Sequence, residues 1–318
     1  MKLFIYPKLK ISILKTYCIH HPFILATVLF LSCLNIHASN NLIAIDTTGS
    51  KEHNDRNLTT EFENTPLRSY FDKKLDSIES KEKQKSILVK KSTIVTYKIY
   101  QDGTIHKVIP KTIAKEFKNK YRYIYIDKKG KKYDLGDFTF YKTQLYRGIE
   151  GEMINLINLE EVPKTYKKGT HQYHFNMDSP RSYVNEQTLA SFFGAMLEVN
   201  YLDIGCNGFS HKDGSSKPSR SHINGNNGDF KYLRTDKTLK CGPGTSLNLN
   251  KAPDSLDYIR QNKWNEALYK FGWKSMLGWT VTINKETKYL QHISHKTTNH
   301  HHHLHVQNYE PQFKEIIQ

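Results

Sequence analysis

Apolar and polar positions divide the chain into four regimes. Residues 1–38 start basic and then run apolar from Pro22 to Leu34. Residues 39–90 are polar, rich in Lys, Glu, Asp, Asn and Ser, and read as a linker with one short helix predicted around 68–84. From residue 91 the pattern becomes period-2. Val95, Tyr97 and Ile99 alternate with polar residues, Gln101-Asp102-Gly103 makes a turn, and Ile105 to Ile109 resumes the alternation. Tyr121 to Ile126, closed by Asp127-Lys-Lys-Gly130, and Tyr133 to Tyr141 continue it. This predicts a small antiparallel sheet and a β-rich domain over 91–149.

Residues 150–318 mix periods. Leu189, Phe192, Phe193, Met196 and Leu197 share one face of a predicted helix over Asn185–Val199. A short strand follows at Tyr201–Ile204, then a loop of Gly, Ser and Asn from Gly205 to Gly228. Leu256, Ile259, Trp264, Leu268 and Phe271 predict a second helix over Asp254–Phe271, which Gly272 stops. Thr280–Ile283 and Leu304–Val306 are strand candidates, and the three tryptophans are assigned to the core. Helices and strands without a βαβ rhythm indicate an α+β fold, with a C-terminal domain over 150–318.

Charge and cysteines change the picture at the N-terminus. The 318 residues carry a formal net charge of +16. Lys2, Lys8, Lys10 and Lys15 precede the apolar run, and residues 1–38 hold no acid. That is the pattern of a secretory signal, too short for a comfortable membrane span. Cleavage after Ala38, lipidation of Cys33 at the lipobox-like Leu31-Ser32-Cys33, and retention as an uncleaved anchor are the three outcomes. All place the body outside the cytoplasm: periplasmic, attached to the outer membrane, or secreted. In an oxidising compartment Cys206 and Cys241 are expected to pair, a bridge worth about 3–4 kcal/mol in the chain-entropy model. The alternative is two buried thiols. Without residues 1–38 the basic excess is still large enough to admit a nucleic-acid partner, but no such module appears and export argues against it.

Histidine carries the chemistry. Of 16 histidines, seven (His292, His295, His300, His301, His302, His303 and His305) fall in the last 27 residues. The first two read as surface or packing residues. A hydrolytic zinc site takes three ligands from His and Asp or Glu and keeps a position for water. His222 and Asp229, with Gly225 and Gly228 allowing a bend between them, and His305 on a distant strand supply that set. On a strand His303 and His305 share a face. Strand alternation would also favour His301 and turn His300 and His302 away, unless the strand begins later.

The combination Ser-x-Ser-His222-x-x-Gly225-x-x-x-Asp229, a helix, and then His303-x-His305-Val306 in an exported chain resembles the LAS group of zinc peptidases. That group is named for lysostaphin, D-alanyl-D-alanine peptidases and Sonic hedgehog. Residues 185–308 look most like its penicillin-insensitive murein endopeptidase branch. The resemblance implies a hedgehog/D-Ala-D-Ala peptidase-like zinc domain with His222, Asp229 and His305 holding Zn²⁺. His303 would be the His-x-His partner near the metal-bound water, and His300 stands where that branch has a further histidine. The carboxypeptidase branch has a catalytic Glu where this chain has His302, and an Arg after its first strand that this chain lacks, although Arg220 is close in sequence and is a candidate substrate contact by that proximity. The lysostaphin type has a shorter His-to-Asp spacing.

The implied function is an exported zinc metallopeptidase acting on peptidoglycan stem peptides or cross-links, as a murein endopeptidase. General-base work falls to His303 or His300. A noncatalytic zinc-containing module that binds cell wall or protein, and a secreted wall-degrading toxin, are the competing functions.

Overall fold

The computed structural model describes residues 73–81 and 93–318, apart from 243 and 284. The expected signal segment, Cys33 and most of the expected linker lie outside the described residues. Within the segment Met1–Gln84, residues 73–81 form an exposed helix, α1, inside the predicted 68–84.

Residues Lys85–Gln318 are one compact unit of mixed helix and sheet. A five-stranded sheet has β1 (Thr96–Tyr100), β2 (Thr104–Ile109), β3 (Lys120–Ile126) and β4 (Lys132–Thr139). A three-stranded sheet follows from β5 (Tyr141–Gln144), β6 (Met153–Asn158) and β9 (Tyr183–Asn185), with β7 (Thr165–Lys168) and β8 (His171–Met177) between them in sequence. Then come α2 (Glu186–Val199), β10 (Ile204–Gly208), β11 (Gly228–Phe230), α3 (Tyr258–Lys270) and β12 (Trp273–Gly278). The hairpin β13 (Thr280–Ile283) and β14 (Glu286–Tyr289) precedes β15 (Ile293–Lys296), β16 (Leu304–Tyr309) and β17 (Gln312–Ile317). A seven-stranded sheet runs β15-β12-β16-β11-β10-β8-β7.

Both predicted long helices are present, the first with its expected bounds and the second with a later start. Asn185 caps α2, its side chain accepting from Gln187 N–H at 3.0 Å, and Asn200 ends it in the left-handed region. Asp257 caps α3, which starts later than the predicted Asp254 because Pro253–Ser255 forms a separate 3-10 turn. Gly272, at φ +125°, ends that region. A Cβ there would meet the Pro311 backbone at 2.9 Å.

Two expectations need correction. The expected boundary between 91–149 and 150–318 does not exist. β17, at the C-terminal end, pairs parallel with β2 and forms the edge of the first sheet, and α2 packs against β1 and β3 as well as β8 and α3. The cause is that α2 is buried over Thr188–Leu197 on every side, so it needs cover from both sheets. Adjacent rings divide this task. Phe193 lies 5.5 Å from Tyr123 and 5.7 Å from Phe138, while Phe192 lies 5.4 Å from Phe175 and 5.5 Å from Phe230. The first sheet is also mixed rather than antiparallel, because the chain crosses over between β2 and β3 and lays β3 parallel to β1.

Cys206 and Cys241 are not joined. Cys206 is in the core with Phe175 and Met177, and burial pushes its thiol up to about 12. Cys241 Sγ instead accepts from Asn176 Nδ2 at 2.9 Å. Asn176 alternates with Phe175 and Met177 along β8, so the two sulfurs sit on opposite faces of the sheet.

Gly194 faces α3 where the helices meet. A Cβ there would fall 2.2 Å from the Phe271 ring. Gly194→Ala improves helix propensity yet should destabilise the chain by about 1–3 kcal/mol through overpacking, measured by urea denaturation. Non-reducing peptide mapping should find no Cys206–Cys241 linkage.

Candidate metal centre

Strand register builds the site. β11 and β16 pair antiparallel with Asp229 directly opposite His305, flanked by Gly228 opposite Val306 and Phe230 opposite Leu304. Phe230, Leu304 and Val306 are fully buried in the core and anchor the pair. His222 arrives from the loop before β11. There Asn224 and Gly225 take left-handed backbone (φ 59° and 69°), and a Cβ on Gly225 would meet Asn185 N at 2.5 Å and Val184 Cα at 2.8 Å. Asn224 holds this bend by accepting from Tyr146 N–H at 2.9 Å and donating to Tyr146 O at 3.2 Å. Asn226 O accepts from Trp273 Nε1–H at 3.0 Å.

Three donors converge as a result. His222 Nε2 lies 3.1 Å from Asp229 Oδ1 and 3.0 Å from His305 Nδ1, and His305 Nδ1 lies 2.9 Å from Asp229 Oδ1. The two rings are parallel within 5°. All three residues are buried, with 1%, 9% and 4% exposure for His222, Asp229 and His305. This group could hold a metal ion. The donor triangle is close to the ligand spacing of about 3.3 Å that tetrahedral bonds of about 2.0–2.1 Å require.

Outer partners orient the rings. His305 Nε2 is 3.2 Å from Ser221 Oγ, which can accept its N–H. Arg181 Nη1 is 2.8 Å from His222 Nδ1, and its Nη2 is 3.6 Å from Asp229 Oδ2. A guanidinium only donates, so this contact uses the Nδ1 lone pair of His222. A metal on Nε2 puts the proton on Nδ1, so loading requires Arg181 to release this nitrogen.

The histidine run is sorted by shape. β16 starts at Leu304, so strand alternation does not extend back over 300–303. His303 Nε2 faces Asp229 Oδ1 at 3.5 Å, as expected for a neighbour of His305. His300 also turns toward the site, its ring 4.8 Å from His303 and 5.6 Å from His305. His301 packs by the Trp279 ring and His302 is exposed. Backbone anchors fix this bend: His300 O accepts from Tyr232 O–H and His301 O from Leu249 N–H, both at 2.8 Å.

Arg220 is exposed, and the cation that contacts His222 is Arg181. Arg181 precedes β9, far from His222 in sequence, and no spacing marked it. Ser221, adjacent to His222, was open to notice as a polar neighbour of a ligand.

Burial sets the charge states. It is the largest effect on His222 and pulls its pKa down, against the pull of Asp229. For Asp229, burial pushes upward, but hydrogen bonds from His222 and His305 together hold the carboxyl well below its ordinary range. Burial, partly countered by Asp229, brings His303 down to about 4. Burial and the neighbouring His305 bring His300 down to about 4.

Metal-free folded chain therefore keeps His300 and His303 neutral down to about pH 4, while the unfolded chain protonates them near 6.5. The unfolded state binds more protons between those limits, so stability should fall as pH drops from 6.5 to about 4. Urea titrations of metal-free chain across that window check this, and His303→Gln should flatten the fall. Arg181→Gln, which removes a cation and supplies an acceptor for His222 Nδ1–H, should strengthen metal retention about tenfold in chelator competition. Comparison with protein-family models, curated proteins and solved structures finds no match to this chain.

Proposed function

We propose that this chain is an exported zinc metallopeptidase that hydrolyses amide bonds in peptidoglycan peptides, acting as a murein endopeptidase on cross-links. The carrying observation is the buried convergence of His222, Asp229 and His305 with His303 facing the same carboxylate. The resemblance of residues 185–308 to LAS peptidases supports zinc and a hedgehog/D-Ala-D-Ala peptidase-like domain within the α+β unit. Among the described residues no helix is long and apolar enough to cross a membrane, so export rests on residues 1–38.

Bound Zn²⁺ would supply Lewis-acid polarisation of the scissile carbonyl and lower the pKa of a water. The remaining work belongs to side chains. His303, neutral at working pH, can take a proton and return it to the leaving amine. His300 packs beside it and restricts its ring. Arg181, once released from His222, offers its donors to a carboxylate of the stem peptide or to the developing oxyanion. Asp229 stays ionised and completes the donor set.

One observation favours a noncatalytic binder. The position of the carboxypeptidase Glu holds His302, which is exposed and contacts His303 rather than Asp229.

Muropeptides digested by the full chain and resolved by mass spectrometry separate the readings. Cross-linked dimers should yield monomers, and a chelator or Asp229→Ala should abolish this. Loss of a terminal residue from monomers would instead indicate a carboxypeptidase. Zinc binding without turnover would leave a binding module. His303→Ala should lower kcat by about 10²–10⁴ with little change in KM.

A further inference from the structure

The His300–His303 run is longer than the proposed chemistry needs. His305 supplies a ligand and His303 faces Asp229, yet neither His301 nor His302 hydrogen-bonds to the three donors. Their rings nevertheless form a continuous series, with His301 stacked on the exposed His302 and His302 leading inward to His303. His301 stacks on His302 with centroids 4.8 Å apart, and His302 lies 4.6 Å from His303. Ring nitrogens line up along the inner part of that series. His302 Nδ1 is 2.9 Å from His303 Nδ1, and His303 Nε2 is 3.5 Å from Asp229 Oδ1. Exposure falls along the same path. His302 is exposed, the His303 side chain is 16% exposed, and that of His305 is 5% exposed.

This arrangement answers a kinetic difficulty. A hydrated divalent ion cannot reach donors as buried as His222 and His305 without first losing water. Two imidazole nitrogens 2.9 Å apart fit a single ion held by bonds of about 2.0–2.1 Å. Imidazole is also a favoured ligand for zinc and its neighbours in the transition series.

We propose that His302 and His303 form a surface capture site for a divalent transition-metal ion. The ion passes through His303 to the buried His222–Asp229–His305 group, and His301 flanks the capture site by stacking on His302. Uptake moves the proton shared between the two Nδ1 atoms to the free Nε2 of its ring, so both rings bind the ion as neutral imidazoles. A turn of the His303 ring then carries the ion from the His302 side to the Asp229 side. The proposal rests on the metal reading of the buried group.

Loading and release kinetics test it with the full chain. Metal-free protein is mixed with limiting Zn²⁺ against a chromogenic chelator, and release from the loaded protein is followed into excess chelator. His302→Asn, and His301→Asn with His302→Asn, should slow loading and release by the same factor, on the order of tenfold, with Kd unchanged. A relay shortens the path in both directions and leaves the end states alone. Wild type should also take up a second, weaker equivalent of Zn²⁺ that the variants lack. His292→Asn, on a surface histidine stacked on Tyr269 and paired with Glu266, should load at the wild-type rate.

Wild-type rates in the double variant would overturn the relay. So would a weakened Kd with faster release, which would make His302 a positioning residue for the buried ligands. A wild-type chain that takes up no Zn²⁺ would overturn the metal reading itself, and the proposal with it.

Discussion

The antiparallel pairing of β11 with β16 is the constraint on which the site depends. It puts Asp229 opposite His305 and fixes that register by burying Phe230, Leu304 and Val306 in the core. A slip of one residue would turn the pair to the other face. Asp229 is then a carboxylate held among histidines and an arginine, and it stays ionised because their hydrogen bonds and charges outweigh its desolvation. Removing one partner of such a group costs far more than the interaction itself contributes, since the remaining charge is left buried.

The core explains why that register is stable. α2 is covered by both large sheets, with Phe193 toward the tyrosines of the first and Phe192 toward Phe175 and Phe230 of the second. The same aromatic layer carries β11 through Phe230, so the candidate metal centre rests directly on it. β17 then runs back to β2, tying the strand after the last ligand into the first sheet. Packing, rather than a disulfide, joins these parts. Cys206 is spent on the core face and Cys241 lies over the other.

The secondary elements were readable because their signals are local. Asn185, where the first helix was expected to begin, caps α2 through its own side chain, and alternation along Val95–Ile99 and Tyr121–Ile126 follows from one buried face. The pairing of His222 with Asp229 was readable because the glycines between them permit a tight bend. Arg181 was not, since it meets His222 only after β8, β10 and the intervening loop are folded together. Alternation left His300 undecided, because its direction depended on where the strand begins, and β16 begins only at Leu304. The bend there is held by Tyr232 and by the Leu249 backbone, which are distant in sequence.

By itself the sequence determined which residues can serve as donors, where two helices lie along the chain, and that the chain is α+β. Those properties depend on side-chain chemistry and on interactions spanning a few residues. Tertiary structure decided that 91–149 and 150–318 share one core, that the first sheet is mixed, and that Arg181 meets His222. It also decided how four consecutive histidines divide between site and surface. Each of these is a meeting of segments far apart in the chain, and such meetings are set by packing around α2 and by strand register, which no local spacing encodes.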